Sequence, residues 1–294
     1  NKISHIISID HKTNKELAFA YANKKEFNEF LKLEIDYTII KKETVPTTYS
    51  RKKTWGYYPT YQEYISMMNA FSDSFPNICK THHLGTLNSG REIIIVQISN
   101  NVGQKENEPS FLYTSSMHGD ELSGYILSLR LIDYILNGYN NIPRITYIVD
   151  NIDIWINPLA NPDGTYFGGD QDVWSATRYN ANWVDLNRNY PDPEDGPHPD
   201  GNAYQEETNI FLGLSDTVNF SLSANMHGGA EVCNYPWDTW STLTSDNDWW
   251  QYVTKEYADS CQLNSNNGYF NDLNDGITNG HDWYEVDGGR QDYM

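Results

Sequence analysis

The sequence predicts an α/β fold, with a mixed or parallel sheet carrying helices on both faces and a small α+β unit ahead of it. Three observations point there. From residue 54 onward, β-rich runs alternate with stretches of helical spacing. Two of those runs, FLYTS at 111–115 and FSLSAN at 220–225, lead almost directly into polar, histidine-bearing motifs. Open α/β sheets collect their ligands at such strand ends. Finally, 294 residues with 14% aromatic side chains suffice for one large buried core and are too aromatic for disorder.

The elements follow in order. Residues 3–9 are β-rich, 23–33 have helical spacing and 37–40 are β-like, so 1–41 reads as a small α+β unit, pro-like or accessory. Residues 42–53 are polar, basic and punctuated by Pro46; a linker is expected, with a protease-cleaved activation segment as the alternative. The remainder, 54–294, reads as the main domain. It opens with a helix over 61–75, then strands at 91–98 and 111–115 and a helical stretch over 122–136. Strands at 152–157 and 220–225 follow, and there is no internal repeat.

Charge narrows the function. Forty acidic against 20 basic side chains give a formal net charge of −20, the opposite of a nucleic-acid footprint and unsuited to an anionic membrane surface. No apolar run approaches the ~18 residues a spanning helix needs, so no membrane insertion is expected. Cys79, Cys233 and Cys261 lack CxxC spacing, which leaves one disulfide or none open. The first residue is Asn1, as in a trimmed chain, and with the acidity this predicts a secreted or periplasmic protein.

Three motifs carry chemistry. His118 and Glu121, in MHGDE, stand three apart, close enough to converge on one ion from a single turn. His227, in NMHGG, follows another strand. Two histidines and a glutamate match a catalytic zinc site with three protein ligands and an open position for water. On its own, the HxxE spacing is common enough to be a surface histidine beside an acid. The third motif, RYNANWVDLNRNYP at 178–191, places Arg178 and Arg188 ten apart. In an acidic protein, such a pair beside a metal site implies recognition of a carboxylate.

Together these blocks resemble a zinc metallocarboxypeptidase of the funnelin (M14) type. They are HGDE at 118–121, NP at 157–158 with NPDG at 161–164, DLNRN at 185–189, HGGA at 227–230 with NYP at 234–236, and GITNG at 276–280 running to GGRQD at 288–292. They keep the family's order from about residue 54 to the end and are most similar to the carboxypeptidase N/E/D branch and its bacterial secreted relatives. The resemblance implies a mixed, mostly parallel twisted sheet of mostly eight strands. It also implies one Zn2+ on His118, Glu121 and His227, with Asp185 orienting a zinc histidine. Asn187 and Arg188 would hold the substrate's terminal carboxylate, and Arg178 would meet the oxyanion. Tyr284 would close over the substrate. Asn234 belongs to the matched substrate-binding blocks, and Asp238 and Gln291 would line the pocket for a C-terminal Arg or Lys. For Asp238, a solvated loop acid is the alternative. Partners would be peptide or protein C-termini.

Two departures qualify the match. Asp120 stands where pancreatic members carry arginine, and Arg290 where the branch usually has an uncharged residue. The family's general base is a glutamate about twenty residues past the position of Tyr284, whereas this chain reaches Met294. The 294 residues are therefore expected to be part of a longer protein, with weak or no activity alone. The other readings are a zinc-bearing module that binds C-termini without cutting, and an amide hydrolase for peptidoglycan-type or N-acyl amino-acid substrates.

Overall fold

The computed structural model describes residues 8–9, 20–22, 24–39, 55–265 and 269–283. The chain divides into two compact units, one of residues 45–189 and 202–228, the other of 1–44, 190–201 and 229–293.

The first unit is built on five strands: β1 (Cys79–Thr86), β2 (Glu92–Ile98), β3 (Ser110–Ser115), β4 (Asp153–Asn157) and β5 (Phe220–Met226). Their order is β1-β2-β4-β3-β5. The two pairings at the β1 side are antiparallel, while β4 with β3 and β3 with β5 run parallel. The sheet is thus mixed, as expected. In β2, Ile93, Ile94, Ile95, Val96 and Ile98 are all fully buried, the near-continuous apolar run of a strand covered on both faces. Ile94, Val96 and Ile98 pack with Tyr64, Met68 and Phe71 of the helix Tyr61–Ser74, and with Leu129, Ile132 and Leu136 of the helix Ser123–Gly138. Tyr61–Ser74 begins in a capping box: Glu63 N–H donates to Thr60 Oγ1 at 3.2 Å, and Thr60 N–H to Glu63 Oε2 at 2.9 Å. Further helices span Pro143–Val149 and Glu206–Thr217.

This topology positions a site. β3 has parallel neighbours on both sides, so the carboxyl ends of β4, β3 and β5 leave the sheet at one edge. There Thr114 of β3 is in register with Asn157 of β4 and Asn225 of β5.

In the second unit, Ser8–Ile9 pairs with Ala20–Tyr21, a helix spans Lys24–Leu31, and Cys233–Tyr235 pairs in parallel with Ile277–Asn279. A 17-residue helix, Asn247–Leu263, belongs to it as well. One expectation is corrected. Residues 37–39 are irregular rather than β, because Tyr37 and Ile39 stay exposed and no strand pairs with them among the described residues; β-propensity reflects packing on a pleated surface. The expected linker at 42–53 lies outside the described residues. All three cysteines are free thiols, and burial pushes the Cys79 thiol up to about 12.

Candidate metal centre

The chain leaves β3 through Ser116, whose left-handed φ of 55° turns it sharply into the loop carrying His118 and Glu121. A hydrogen bond from Glu121 N–H to the His118 carbonyl at 3.1 Å closes that turn. The NPDG block and Thr165, which follows it, hold the loop from the side. Asn161 Nδ2 donates to the Met117 carbonyl (3.1 Å), Asn161 N–H to that of Ser116 (3.2 Å), and Thr165 Oγ1 to that of Gly119 (2.8 Å). Gly119 is needed for this approach, since a Cβ there would overlap the backbone of Gly164 and Thr165. Gly119→Ala is therefore expected to lower stability by about 2 kcal/mol or more and to displace His118. Chemical denaturation checks the first effect, and metal affinity checks the second.

Three ligand-type atoms converge at the sheet edge. His118 Nδ1 lies 3.1 Å from His227 Nδ1 and 2.9 Å from Glu121 Oε1, and His227 Nδ1 lies 2.8 Å from Glu121 Oε2. Among the described residues, His118, Glu121 and His227 form the one cluster whose donor atoms could share an ion. Two imidazole nitrogens and a carboxylate oxygen suit zinc. The Gly228 N–H donates to Glu121 Oε2 at 2.9 Å and fixes that carboxylate's second oxygen.

Asp185 sits behind the cluster, buried, and capping the 3-10 turn Leu186–Arg188. Its Oδ1 accepts from His118 Nε2 at 3.0 Å and from Asn187 N–H at 3.0 Å, and its Oδ2 accepts from Arg178 Nε at 3.0 Å. With Nε2–H given to Asp185, the Nδ1 lone pair of His118 faces the cluster. Arg178 NH1 reaches the same point, 3.2 Å from His118 Nδ1 and 3.5 Å from Glu121 Oε1.

The charges balance by proximity. Burial works against the ionised form of Asp185, but Arg178 and His118 outweigh it and hold the carboxyl well below its ordinary range. Burial is likewise overcome at Glu121 by His118 and His227, and its pKa falls. The two imidazoles diverge. At His227 burial dominates and pulls the pKa down. At His118, burial and Arg178 oppose protonation, yet the facing carboxylates Glu121 and Asp185 raise the pKa.

The structure brings His118, Glu121, His227, Asp185 and Arg178 into one cluster, with Asn187 and Arg188 on the turn that Asp185 caps. Asn187 is 2% exposed, and its Oδ1 has no hydrogen-bond partner among the described residues. Asn234 and Asp238 belong to the other unit. Asp238 is 2% exposed, so it is not a solvated loop acid; Asn234 Nδ2 lies 3.4 Å from its Oδ1, and the Gly280 backbone packs against it. Tyr284 and Gln291 lie outside the described residues. Sequence reasoning gave Asn161, inside the quoted NPDG block, no role in supporting the metal-bearing loop, and it missed Thr165, which directly follows that block. It also missed Thr114 and Asn225, ordinary strand residues.

The zinc carboxypeptidase family model matches residues 64–294. The chain belongs to the zinc carboxypeptidase family. Its relatives include carboxypeptidase SOL1 of Arabidopsis thaliana, 33% identical over 80% of this chain and 47% of that protein. Mouse carboxypeptidase M is 34% identical over 78% of this chain and 54% of its own length. The human carboxypeptidase N catalytic chain is 32% identical over 79% and 58%. These names agree with the N/E/D branch. The chain spans about half the length of these curated relatives. Two solved structures share the fold at a TM-score of 0.68. One is thrombin-activatable fibrinolysis inhibitor, 15% identical over 81% of this zinc carboxypeptidase chain and 63% of that one. The other is carboxypeptidase A from Helicoverpa armigera, 21% identical over 94% and 70%.

Proposed function

We propose that this chain carries the metal centre of a zinc-dependent carboxypeptidase that removes C-terminal residues, preferring Arg and Lys. The observation that carries the reading is the convergence of His118 Nδ1, Glu121 and His227 Nδ1 at the carboxyl ends of β3 and β5, with the Arg178 guanidinium alongside. The relatives are named carboxypeptidases, which supports it.

His118, Glu121 and His227 would hold the zinc. When bound, zinc supplies Lewis-acid polarisation of the scissile carbonyl and an acidified water. Asp185 fixes the tautomer and plane of His118 and clamps Arg178 through Nε. That clamp leaves NH1 directed at the cluster, where it donates to an oxyanion as one develops. Asn187, donating through its Nδ2–H, and the guanidinium of Arg188 would grip the terminal carboxylate, so only chain ends are accepted. By the family resemblance, Tyr284 would close over the bound end. By the same resemblance, Asp238 and Gln291 would hold a basic side chain, and the burial of the Asp238 carboxylate supports this as a seat for a cationic head group.

The test is residue release by the full-length protein from peptides differing only in a C-terminal Arg, Lys, Phe or Glu, with and without a zinc chelator. Release of Arg and Lys that the chelator stops is expected. Equal release of all four would overturn the basic preference. Zinc bound with no release from any peptide would overturn the hydrolase reading.

A further inference from the structure

The two histidines of the cluster are braced differently. His118 has a carboxylate on its outer nitrogen, whereas His227 Nε2 faces the side-chain amide of Asn225 at 3.0 Å. The other end of that amide lies 2.9 Å from the Thr114 hydroxyl. This contact follows from the sheet itself, because Thr114 and Asn225 are register partners in parallel neighbours β3 and β5. Thr114 is 2% exposed, so its hydroxyl must be satisfied within the protein, and Asn225 satisfies it.

His227 Nδ1 points at Glu121 and at His118 Nδ1. If its lone pair serves the metal, the ring proton resides on Nε2, which then needs an acceptor. Among the hydrogen bonds of the described residues, Nε2 has one partner, the Asn225 amide. A half-turn about the terminal bond of asparagine exchanges its oxygen and nitrogen in nearly the same space, so the amide can accept from Nε2–H through Oδ1. Thr114 can follow either orientation, since a hydroxyl both donates and accepts.

We infer that Thr114 and Asn225 form a positioning pair for the second metal-binding histidine, Asn225 fixing the ring and tautomer of His227 and Thr114 fixing Asn225. The inference rests on His227 being a zinc ligand, as proposed above. An amide also differs usefully from a third carboxylate. Glu121 and Asp185 already face a single guanidinium, Arg178, so a neutral brace orients His227 without adding negative charge.

Zinc affinity, measured by competition with a coloured chelator, tests this in wild type, Asn225→Leu, Asn225→Asp and Thr114→Val. Leucine keeps the approximate size of asparagine and removes the acceptor, so affinity should fall about 10–100-fold. Aspartate retains an oxygen acceptor and should bind zinc at least as tightly as wild type. Thr114→Val should fall less, by ~3–10-fold, as it acts through Asn225. Wild-type affinity in Asn225→Leu, or an equal loss in Asn225→Asp, would overturn the pair's role. If wild type bound no zinc, the ligand assignment of His227 would fall instead. Should Asn225→Leu fold poorly, the wild-type protein loaded with zinc provides an independent reading. A solvent-protected Nε2–H resonance from His227, lost in Thr114→Val, supports the pair. A resonance unchanged in Thr114→Val would overturn the pair's role.

Discussion

Glutamine in place of Glu121 is expected to lower zinc affinity by ~10²-fold or more and to remove chelator-sensitive hydrolysis from the full-length protein. The substitution barely changes volume, so the loop that carries it should keep its shape. What it removes is charge. Glu121 offers one oxygen to the His118 side of the cluster at 2.9 Å and the other to the His227 side at 2.8 Å. Without it, two neutral imidazoles would face a dication beside the Arg178 guanidinium, whose NH1 is 3.5 Å from the lost carboxylate oxygen. A four-ligand structural zinc site is worth about 10–16 kcal/mol, so one ligand is worth roughly 3 kcal/mol, on the order of a hundredfold. Metal content after dialysis against a zinc buffer measures the effect. One equivalent retained at wild-type affinity would take Glu121 out of the ligand set.

The ligands were legible because their spacing is local: HxxE lies within one turn, and HGG follows directly on a strand. The brace of His227 was not. Asn225 and Thr114 are 111 residues apart, and only the register of β3 against β5 makes them partners. The same holds for Thr165, whose hydroxyl reaches the Gly119 carbonyl from 46 residues away. Sequence patterns show which residues share a segment, and they say little about which segments share an edge.

Among the strands, β2 was plain because it is buried on both faces and reads as an unbroken apolar run. Strand β1, Cys79–Thr86, escaped notice, since its CKTHHLGT carries almost no apolar alternation. It is an edge strand whose polar groups find particular partners. Thr81 Oγ1 donates to the Met68 carbonyl at 2.9 Å, and the His82 ring lies 4.9 Å from that of Trp155. The helix Asn247–Leu263 was hidden differently. Its exposed Trp249, Tyr252 and Tyr257 blur the apolar stripe that would have marked a buried face.

Alanine at Asp185 is expected to damage the fold as well as the metal site, which distinguishes it from glutamine at Glu121. Asp185 accepts from His118 Nε2, Arg178 Nε and Asn187 N–H, each at 3.0 Å. Removing it frees the His118 tautomer and uncaps the turn that carries Arg188. It also leaves the largely buried Arg178 with Glu121 at 3.5 Å as its remaining ion pair among the described residues. Breaking a buried charge pair from one side costs about 3–5 kcal/mol, because the surviving ion stays desolvated. At roughly 2–4 °C per kcal/mol for a domain of this size, the melting temperature should drop by about 10 °C. The measurement belongs in excess chelator, where zinc cannot add its own stabilisation to either protein. There the loss should persist in Asp185→Ala and be smaller in Asp185→Asn, whose amide oxygen still caps the turn. Equal melting of Asp185→Ala and wild type in chelator would mean that Asp185 serves the metal alone. Arg178 would then have to be held in place by something other than the ion pair that now clamps its Nε.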